Sequence, residues 1–550
     1  MKTAAKPTGL RYWMLRVLEE YEHVATDFSA DPVHDLRVAL RRCRSMADGM
    51  MAMDPDREWK AMKKAGKRLF QSLGTLRDVQ IMMEWIEKLH PATQPAGGVL
   101  ATSPSDAAEP GSTTADSNDG QDPAARALLQ LLKARESEQK HQARAALEAF
   151  DRKQWRQWSN SLPRRGVRIR PGSAVFKHLA LERWTAAREL HTRAMRNRSQ
   201  VALHTLRIGI KRFRYIVENF LPEEHKTWSN DLKHMQDLLG EVHDLDVLWA
   251  TALSCHVFPD AASRQAWHAR ILQERKKRVE EYREHTLGAD SLWNVWRAGL
   301  PQGKQVEQIA LRRMKLWAKV LDPDFAHSER VARMAVELYD GLNAAGLLSS
   351  MADDTRNGAA TEARSCVYLA ALLHDVGKAK GNKGHHKESL ELIKAHGAPL
   401  GWKPATMARA GVVARFHCGA LPSRSHKALR DFLPDEQKIT IQLAAILRLA
   451  NAFDAAHDGH IRRLRIENAA AQTQNRKRRT NGFLRKSLKL ASNEALIVGA
   501  EGFVANNLTA QTVAAERYLL EMVLRRPIVI RPIHSSPQRR VANELRRIAS

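Results

Sequence analysis

Cysteine is scarce in this chain of 550 residues. The four cysteines, Cys43, Cys255, Cys366 and Cys418, are scattered, and no two of them form a CxxC motif. A disulfide scaffold or a structural zinc knuckle needs cysteines at close, regular spacing. The scarcity therefore argues against both kinds of structure and is typical of a protein from a reducing compartment.

Long hydrophobic runs are also missing. The best candidate, ITIQLAAILRLANAF at 439–453, is interrupted by Arg448. No apolar stretch therefore reaches the length of about 18 residues that a membrane span requires. The opening residues, MKTAAKPTGLRYWMLRVLEE, lack the apolar segment of a secretory signal. We expect a cytoplasmic protein with no membrane insertion.

Acidic residues are too few to balance the basic ones. The 61 Asp and Glu residues face 88 Lys and Arg residues, which leaves a formal net charge of +27. Such an excess predicts a polyanionic partner, either nucleic acid, an acidic membrane surface or an inorganic phosphate polymer. The alternative is a set of solvated basic faces that bind nothing.

Helical periodicity is what the chain has in abundance, in long stretches of Ala, Leu, Arg, Glu and Lys. The exception is 91–123, which is rich in Pro, Gly, Ser, Thr and Asp and nearly free of large apolar residues. We predict a disordered linker there and a mainly α fold elsewhere. Near the end of the chain, LIVGAEG at 496–502 and RRPIVIR at 525–531 predict short β-strands.

An internal repeat organises the first 300 residues. HDLRVALRRCRS at 34–45 is matched by HTLRIGIKRFRY at 204–215, LGTLRDVQ at 73–80 by LGEVHDLD at 239–246, and WRQW at 155–158 by WNVW at 293–296. The offset between copies falls where 91–123 intervenes, so that segment is an insertion in the first copy. Two copies of a roughly four-helix unit, 8–90 with 124–160 and 173–300, predict an antiparallel helical domain with two-fold pseudo-symmetry.

Each copy carries a cationic stripe, meaning the basic residues that fall on one face of a helix at positions i, i+3, i+7 and i+10. The stripes are His34, Arg37, Arg41 and Arg44 in the first copy and His204, Arg207, Lys211 and Arg214 in the second. The opposite face is apolar in both copies. Like charges one turn apart repel, and a polyanion would turn this repulsion into charge-assisted hydrogen bonds. The duplication favours anion binding over a pair of solvated faces.

The stripes lack the features that read nucleic-acid bases. Proteins that read bases interleave aromatic residues for stacking or carry Asn and Gln for base edges. The stripes have neither, apart from Tyr215 at the end of the second. The pattern is typical of a ligand recognised by phosphate alone, and nucleic acid is the least favoured partner.

The duplicated His-x-x-Arg-x-x-x-Arg-Arg-x-Arg pattern resembles the CHAD domain, the conserved histidine α-helical domain, over about 8–300. The resemblance implies a helical domain with a basic groove that binds inorganic polyphosphate. It also implies a set of polyphosphate-binding residues from the stripes and the helices beside them: His34, Arg37, Arg41, Arg42, Arg44, Lys63, Lys67, His204, Arg207, Lys211, Arg212, Arg214 and Lys233.

A second constellation, of histidines and aspartates, lies in the C-terminal half. ALLHDVGK at 371–378 places His374 beside Asp375, and an imidazole next to a carboxylate suits a divalent metal of intermediate hardness. Further candidates surround this pair in the order His327, His385, His386, His417 and Asp454. Each histidine alone has a core or surface role as its simpler explanation. The ordered set favours a two-metal cluster that clamps the attacking and leaving oxygens of a displacement.

The stretches LLHDVGK, GHHKESLELI, ARFHCGALPS and LRLANAFDAAH resemble the HD-domain metal-dependent phosphohydrolases. More narrowly, they are similar to the C-terminal region of the exopolyphosphatase/guanosine pentaphosphate phosphatase family, whose N-terminal actin-like catalytic domain is replaced here by the helical repeat. The resemblance implies an all-α domain that holds two divalent ions, Mn²⁺, Mg²⁺ or Fe. The implied metal ligands are His327, His374, Asp375, His385, His417 and Asp454.

The filled ligand set implies that this domain itself does the chemistry. Adjacent helical residues point about 100° apart, so only one of His385 and His386 is expected to ligate. Asp375 and Lys378 are the catalytic candidates, with Lys378 stabilising charge on the substrate. The candidates for holding substrate phosphates are His386, Lys387 and Arg415.

The sequence thus predicts three regions: a CHAD-like helical repeat domain at 1–300, a metal-dependent phosphohydrolase domain at 305–460, and a small mixed α/β region at 461–550. The favoured function is hydrolysis of inorganic polyphosphate. One alternative is a phosphohydrolase of phosphorylated nucleotides, such as guanosine polyphosphates, that is tethered to polyphosphate. The other is a non-catalytic protein associated with polyphosphate granules.

Overall fold

The computed structural model describes residues 9–89, 122–349, 356–467 and 495–533. The chain divides into two compact units, Met1–Ile309 and Ala310–Ser550. The described residues are mainly α-helical, with one small three-stranded sheet near the end of the chain. The predicted fold class is confirmed. Within these residues, no helix combines the length and the apolar character that crossing a membrane requires.

The first unit contains two repeats of five helices. The first repeat has α1 Leu10–Thr26, α2 Ala30–Met50, α3 Arg57–Leu89, α4 Pro123–Glu148 and α5 Arg152–Gly166. The second has α6 Ala174–Arg196, α7 Gln200–Phe220, α8 Pro222–Ser254, α9 Ala261–Thr286 and α10 Leu292–Ala298. Equivalent helices match in length: α2 and α7 have 21 residues each, α3 and α8 have 33, and α4 and α9 have 26. The duplication is confirmed, with five helices in each copy instead of four.

The helix α4, which follows the predicted linker, and its counterpart α9 in the second repeat begin in the same way. Asp122 caps α4 by accepting a hydrogen bond from the backbone N–H of Ala124, and Asp260 caps α9 by accepting one from Ser263. A carboxylate at this position satisfies a free N–H group of the first turn. Of the predicted linker, 91–121 lies outside the described residues, while 122 and 123 already belong to the cap and first turn of α4.

Equivalent helices also form the contact between the repeats, because α2 packs on α7 and α3 packs on α8. Pairing of each element with its own counterpart is the arrangement that a two-fold axis produces. The apolar faces opposite the stripes are fully buried in both helices, among them Leu36 and Leu40 of α2 and Leu206 and Phe213 of α7. Burial of these faces fixes the rotation of α2 and α7 and thereby the direction in which the stripes point.

The second unit is built on a helical core that surrounds α16. Its helices are α11 Lys304–Leu321, which begins in the first unit, α12 Phe325–Ala344, α13 Arg356–Leu373, α14 His385–His396, α15 Pro404–Arg415, α16 Pro434–Phe453, α17 Leu508–Glu516 and α18 Tyr518–Leu524. Short 3-10 helices cover Val376–Lys380 and Lys427–Leu429. The helix α16 contacts α12, α13, α15, α17 and α18. It carries most of the apolar run at 439–453, which is therefore a core helix.

A three-stranded sheet closes the second unit. Strands β1 Arg463–Glu467, β2 Leu496–Glu501 and β3 Ile528–Ile533 lie in the order β1-β2-β3, with β1 antiparallel and β3 parallel to β2. The two predicted strands are confirmed as β2 and β3. Strand β1 was not predicted, and its alternation is weak because only Leu464 is buried in a strand with three charged residues.

Candidate functional site

The packing of α2 on α7 brings the two cationic stripes together. Arg37 and Arg41 of α2, together with Arg207 of α7, lie close enough to Lys211 to perturb its ionisation. We call these four residues the central cationic cluster. It draws two cations from each repeat, at equivalent positions, so the duplicated stripes form one shared site.

The charges of the central cationic cluster are poorly compensated within the protein. Burial, together with the guanidinium groups of Arg207, Arg41 and Arg37, lowers the pKa of Lys211 to about 8. Burial also lowers the pKa of Arg37. The Nε atom of Arg207 is buried and has no hydrogen-bond partner among the described residues. A bound anion would relieve this repulsion and supply the missing partner.

Two glycines at equivalent positions let the arginines approach the neighbouring helices. A Cβ at Gly74 of α3 would lie 3.7 Å from Nη2 of Arg37, and a Cβ at Gly240 of α8 would lie 3.8 Å from Nε of Arg207. These separations are van der Waals contacts. The arginines thus lie along the glycine faces of α3 and α8, and both repeats preserve this arrangement.

Two aspartates at equivalent positions accompany the cluster. Asp78 of α3 interacts with Arg37, Arg207 and Lys211, and Asp244 of α8 interacts with Arg207 and Lys211. Burial raises the pKa of Asp244 to about 6, although Arg207 opposes the shift. Two carboxylates against four cations leave the site positive, and Asp244 loses part of its charge below neutral pH.

The stripe histidines break the symmetry between the repeats. His34 is exposed, whereas Nδ1 of His204 lies 3.2 Å from Nδ1 of His243. Burial, Arg207 and His204 lower the pKa of His243 to about 4. The residue of the first repeat equivalent to His243 is Arg77. A fixed positive charge in one repeat therefore corresponds to an imidazole in the other.

Four of the predicted polyphosphate-binding residues, Arg42, Arg44, Lys63 and Arg214, make internal interactions outside the central cationic cluster. Arg42 forms an ion pair with Glu218, and Arg214 lies 3.8 Å from the same carboxylate. Arg44 donates a hydrogen bond of 2.7 Å to the carbonyl of Lys63, whose own ammonium group pairs with an aspartate of α2. The remaining flanking cations extend the positive surface and are exposed: Lys67, Arg212 and Lys233.

The aromatic rings near the stripes are covered by arginines. Arg37 and Arg44 lie over the ring of Phe70 at 5.7 and 5.2 Å from its centre, and Arg41 lies 5.7 Å from the centre of Tyr215. These cation–π contacts orient the guanidinium groups. They also occupy the ring faces on which a base would stack, which supports a phosphate ligand over a nucleic acid.

In the second unit, the ends of three helices bring together His374, Asp375, His385 and His417, which we call the His–Asp cluster. His374 and Asp375 follow α13, His385 begins α14, and His417 follows α15. Oδ1 of Asp375 lies 3.2 Å from Nε2 of His385 and 3.7 Å from Nε2 of His417, and its Oδ2 lies 3.4 Å from Nε2 of His374. The Nε2 atoms of the three histidines thus converge on the carboxylate of Asp375.

Each histidine of the cluster is oriented by the same backbone contact. Nδ1 of His374, His385 and His417 donates a hydrogen bond of 2.7 or 2.8 Å to the carbonyl of the residue three positions earlier. A carbonyl oxygen only accepts, so a proton lies on Nδ1 of each ring, and Nε2 is the ring nitrogen that can bind a metal ion when the ring is neutral. Metal-binding histidines are held in the same way, by a hydrogen bond from the nitrogen that does not ligate.

Nε2 of His374 is buried and has no hydrogen-bond partner in the described part of the chain, and the buried Oδ1 of Asp375 faces the imidazole rings of His385 and His417. Both residues are almost fully buried. A buried polar atom without a partner is costly, and a cation at this point would coordinate both atoms. The residues therefore fit a divalent metal ion.

Electrostatic interactions within the cluster are strong. Burial alone would raise the pKa of Asp375, but His374, His385 and Lys378 hold it well below its usual range. The hydrogen bond that His385 donates to the ionised carboxylate of Asp375 in turn raises the pKa of His385 to about 10. Nζ of Lys378 lies 2.5 Å from Oδ2 of Asp375, so the predicted catalytic lysine adjoins the cluster. The carboxylate remains ionised and ready to bind a cation.

His327 and Asp454 lie at one side of the cluster. His327 is within ligand distance of His374 and Asp375, since one donor atom from each falls within 4.8 Å of the others. Asp454 lies 2.7 Å from Nδ1 of His327 and 2.8 Å from Nη2 of Arg330. In this arrangement Asp454 orients His327 and is shared with an arginine, an interaction that the sequence did not suggest.

Cys418 is a candidate ligand that sequence reasoning missed. Its thiol lies 3.9 Å from Nε2 of His385, and donor atoms of His385, His417 and Cys418 all fall within 4.8 Å of one another. A thiolate is a soft ligand that favours Zn²⁺ or Fe²⁺ over Mg²⁺. The signal was present in the sequence as a cysteine next to a candidate histidine, but isolated cysteines carry no spacing pattern.

The remaining predicted residues lie beside the cluster. The structure places His385, and not His386, against Asp375. His386 faces Gly419, where a Cβ would lie 3.3 Å from its Nε2, and burial together with Arg415 lowers its pKa to about 4. Arg415 is buried, and its Nη1 has no hydrogen-bond partner in the described ranges. Lys387, by contrast, is exposed.

The turn that carries His374 and Asp375 is fixed to the start of α14. Ser389 donates a 2.6 Å hydrogen bond to the carbonyl of His374 and accepts one of 2.9 Å from the N–H of Gly377. A Cβ at Gly377 would lie 2.0 Å from the carbonyl oxygen of His385. Only glycine permits this approach, which sets the separation between the two sides of the cluster.

We expect Gly377→Ala to destabilise the second unit, because a backbone segment must move to admit the methyl group. The expected loss is about 3 kcal/mol of unfolding free energy, measured by urea denaturation, together with a loss of bound metal. Gly166→Ala is the control, since a Cβ there meets no atom within 4 Å. Unfolding of Gly377→Ala at the wild-type urea concentration would contradict this account.

Arg448, which interrupts the apolar run, supports the other side of the cluster. It donates a 2.9 Å hydrogen bond to the carbonyl of Gly419 and a 3.4 Å bond to that of Phe416, so it holds the segment that carries His417. Its Nε pairs with Glu516 of α17. A buried charge requires such a partner, and the C-terminal region supplies it.

Comparison with protein families assigns both units. Residues 14–253 match the family model of the CHAD domain, and residues 310–496 match that of the Ppx/GppA phosphatase, domain III. No curated protein matches the chain. The chain thus carries a CHAD domain followed by a Ppx/GppA phosphatase domain III, the arrangement that the motifs predicted.

Proposed function

We propose that this protein binds inorganic polyphosphate through the central cationic cluster and hydrolyses phosphoanhydride bonds at the His–Asp cluster with a divalent metal ion. The CHAD domain supports the first part, and the Ppx/GppA phosphatase domain supports a phosphatase activity related to polyphosphate. The observation that carries the catalytic part is the convergence of the Nε2 atoms of three histidines on the buried carboxylate of Asp375.

The cationic cluster accounts for the choice of polymer. Its four cations come from two repeats, lie in one place and are only partly balanced by Asp78 and Asp244. Polyphosphate carries closely spaced charges without bases, so it meets the cations without requiring stacking surfaces. The arginine-covered rings of Phe70 and Tyr215 agree with such a ligand.

The His–Asp cluster accounts for hydrolysis. His374, Asp375, His385 and His417 would hold a divalent ion, which would supply a water of lowered pKa and polarise a phosphoryl oxygen. Asp375 stays ionised at all physiological pH values and so keeps the ligand charge constant. The backbone carbonyls that receive the Nδ1 protons keep each imidazole in its ligating orientation.

Two cations beside the cluster bind the substrate phosphates in this proposal. Arg415 presents an unpartnered Nη1 near Cys418, with which it interacts. Lys378 lies at the carboxylate of Asp375. Both are placed to stabilise the negative charge that develops on the leaving phosphate.

A non-catalytic polyphosphate-binding protein is the second candidate. The observation that favours it is the ion pair between Arg330 and Asp454, because an arginine at a candidate ligand opposes the binding of a second metal ion there. In that case the cluster would hold a single structural ion.

The test is release of orthophosphate from long-chain polyphosphate by metal-free protein to which Mn²⁺, Mg²⁺, Fe²⁺ or Zn²⁺ is added back. Release that depends on metal and stops with chelator supports hydrolysis. Tight polymer binding without release under any metal would reject it and leave the non-catalytic candidate. Guanosine polyphosphates and nucleotides, run in parallel, show whether the second unit acts on another phosphoanhydride.

Polyphosphate affinity is expected to fall as pH rises. A bound polyanion favours protonation of Lys211, whose pKa in the free protein is about 8, and of Asp244, whose pKa is about 6. The bound state therefore holds more protons, and affinity decreases as pH passes through each value, by about tenfold for every pKa unit that binding adds. Calorimetry without metal, from pH 5 to 9 at constant ionic strength, measures the profile.

The matched variant for this profile is Lys211→Arg, which stays charged over the whole range. It is expected to remove the decrease near pH 8 and to retain the decrease near pH 6. A wild-type affinity that is constant from pH 5 to 9 would contradict the placement of these groups at the polymer.

A further inference from the structure

A cavity of about 530 Å³ lies between the two repeats of the first unit, apart from the central cationic cluster. Its walls come from the starts of α1, α6 and α8, the ends of α2, α5 and α7, and the connection between α5 and α6. Sites for small molecules have volumes of about 300–1,000 Å³ and are mostly apolar with a few polar groups. This cavity has both properties.

The apolar walls include flat aromatic surfaces. Phe176 and Phe220 stack on each other with ring centres 4.2 Å apart and are buried, and Trp13 lies at another wall with the guanidinium of Arg42 over its ring at 5.1 Å. Phe220 reaches its position because α2 has Gly49 there, where a Cβ would lie 2.3 Å from the ring. Such walls suit a planar or apolar body.

Arg11, Arg42 and Glu218 line the cavity, so its charged side chains leave one positive charge unbalanced, and Arg214 lies behind the wall. Arg42 pairs with Glu218 and donates to Oδ1 of Asn219 at 3.3 Å, and Arg214 lies 3.8 Å from the same Glu218 carboxylate. Two arginines thus share a single carboxylate. The Nε atom of Arg42 is buried and has no hydrogen-bond partner among the residues that the structure describes. It remains available to an anionic group.

The ion pair that lines the cavity is not repeated between the equivalent helices of the described residues, although the helices themselves are duplicated. The equivalents of Arg42 and Glu218 in the other repeat are Arg212 and Asp48. Arg212 is exposed, and Asp48 pairs with Lys63 instead. A surface that merely bound the polymer would be expected in both repeats. The single copy indicates a different ligand.

We propose that this cavity binds a small amphipathic anion, with an apolar or aromatic body against Trp13, Phe176 and Phe220 and one carboxylate, sulfonate or phosphate group on Arg42. The site is distinct from the central cationic cluster, because none of the four residues of that cluster lines the cavity and Arg42 pairs with Glu218. The ligand class follows from the shape of the cavity and from its single excess charge.

The test uses two fluorescent probes with the full-length protein. 8-Anilinonaphthalene-1-sulfonate carries an anionic group, and N-phenyl-1-naphthylamine has nearly the same rings without it. We expect one saturable site at which the sulfonate binds at least about tenfold more tightly than the neutral probe, as one charge-assisted hydrogen bond provides. Arg42→Gln is expected to remove this difference, and the matched variant Arg212→Gln to retain it.

Val167→Trp is a second variant that keeps the proposal testable if Arg42→Gln fails to fold. Val167 lines the cavity from an exposed position, so a larger side chain there obstructs the cavity without entering the core. It is expected to weaken both probes. Equal affinity in wild type and Arg42→Gln, or displacement of the sulfonate probe by polyphosphate, would overturn the proposal, since the probe would then occupy another site.

Discussion

Asp375→Asn is expected to reduce metal-dependent release of orthophosphate by at least about a thousandfold, because a bound metal supplies several kcal/mol of transition-state stabilisation. Asparagine keeps the shape of the side chain but removes the charge on which His374, His385 and His417 converge. The variant should therefore fold, bind polyphosphate with unchanged affinity and lose its metal. Phosphate release and metal content, measured on the same sample, test this expectation.

Asp435→Asn is the matched control, since this aspartate is exposed in the first turn of α16 and lies away from the cluster. It should retain both activity and metal. An Asp375→Asn protein that keeps its metal content and hydrolyses polyphosphate at the wild-type rate would place the chemistry elsewhere. A protein that loses metal and keeps activity would remove the metal from the mechanism.

The double variant Arg37→Gln and Arg207→Gln is expected to weaken polyphosphate binding by about a hundredfold or more. Each arginine offers charge-assisted hydrogen bonds, which contribute about 1.5–3 kcal/mol apiece. The dependence of affinity on salt should also become shallower, because two fewer phosphate charges are neutralised and fewer counterions are released. Titration of polyphosphate at several salt concentrations, without metal, measures both effects.

The control for this experiment removes the same amount of charge from elsewhere in the same unit. Arg156 and Arg264 are exposed and lie on α5 and α9, away from the central cationic cluster. Arg156→Gln with Arg264→Gln should change affinity only slightly. If both double variants weaken binding equally, the polymer responds to net charge alone, and the central cationic cluster is not its site.

The helical architecture was predictable because its signals are local and repeated. Duplicated motifs identified equivalent helices, and the apolar faces opposite the stripes fixed which side of α2 and α7 is buried. The sequence also placed Arg37, Arg41, Arg207 and Lys211 on exposed faces. It did not show that these two faces meet, since the packing of α2 on α7 depends on contacts between residues far apart in the chain.

The His–Asp cluster was predictable as a list of residues but not as a geometry. His385 and His386 are adjacent, so the sequence did not show which of them is the candidate ligand. The position at which α14 begins places His385 against Asp375. Cys418 and Arg330 were missed because each contacts a residue that is distant in the sequence. Cys418 lies beside His385, and Arg330 pairs with Asp454. The partner of Arg448 was likewise invisible, as Glu516 follows it by 68 positions.

The pairing of equivalent helices across the repeats has a consequence for the direction in which a polymer binds. Inorganic polyphosphate has identical ends and no direction, unlike a nucleic-acid strand. A surface made from two related halves presents the same sequence of charges to such a chain whichever end enters first. In the proposed function, polyphosphate therefore binds in either direction and at any position along its length. One difference between the halves, Arg77 against His243, is then a feature that distinguishes the two directions of threading.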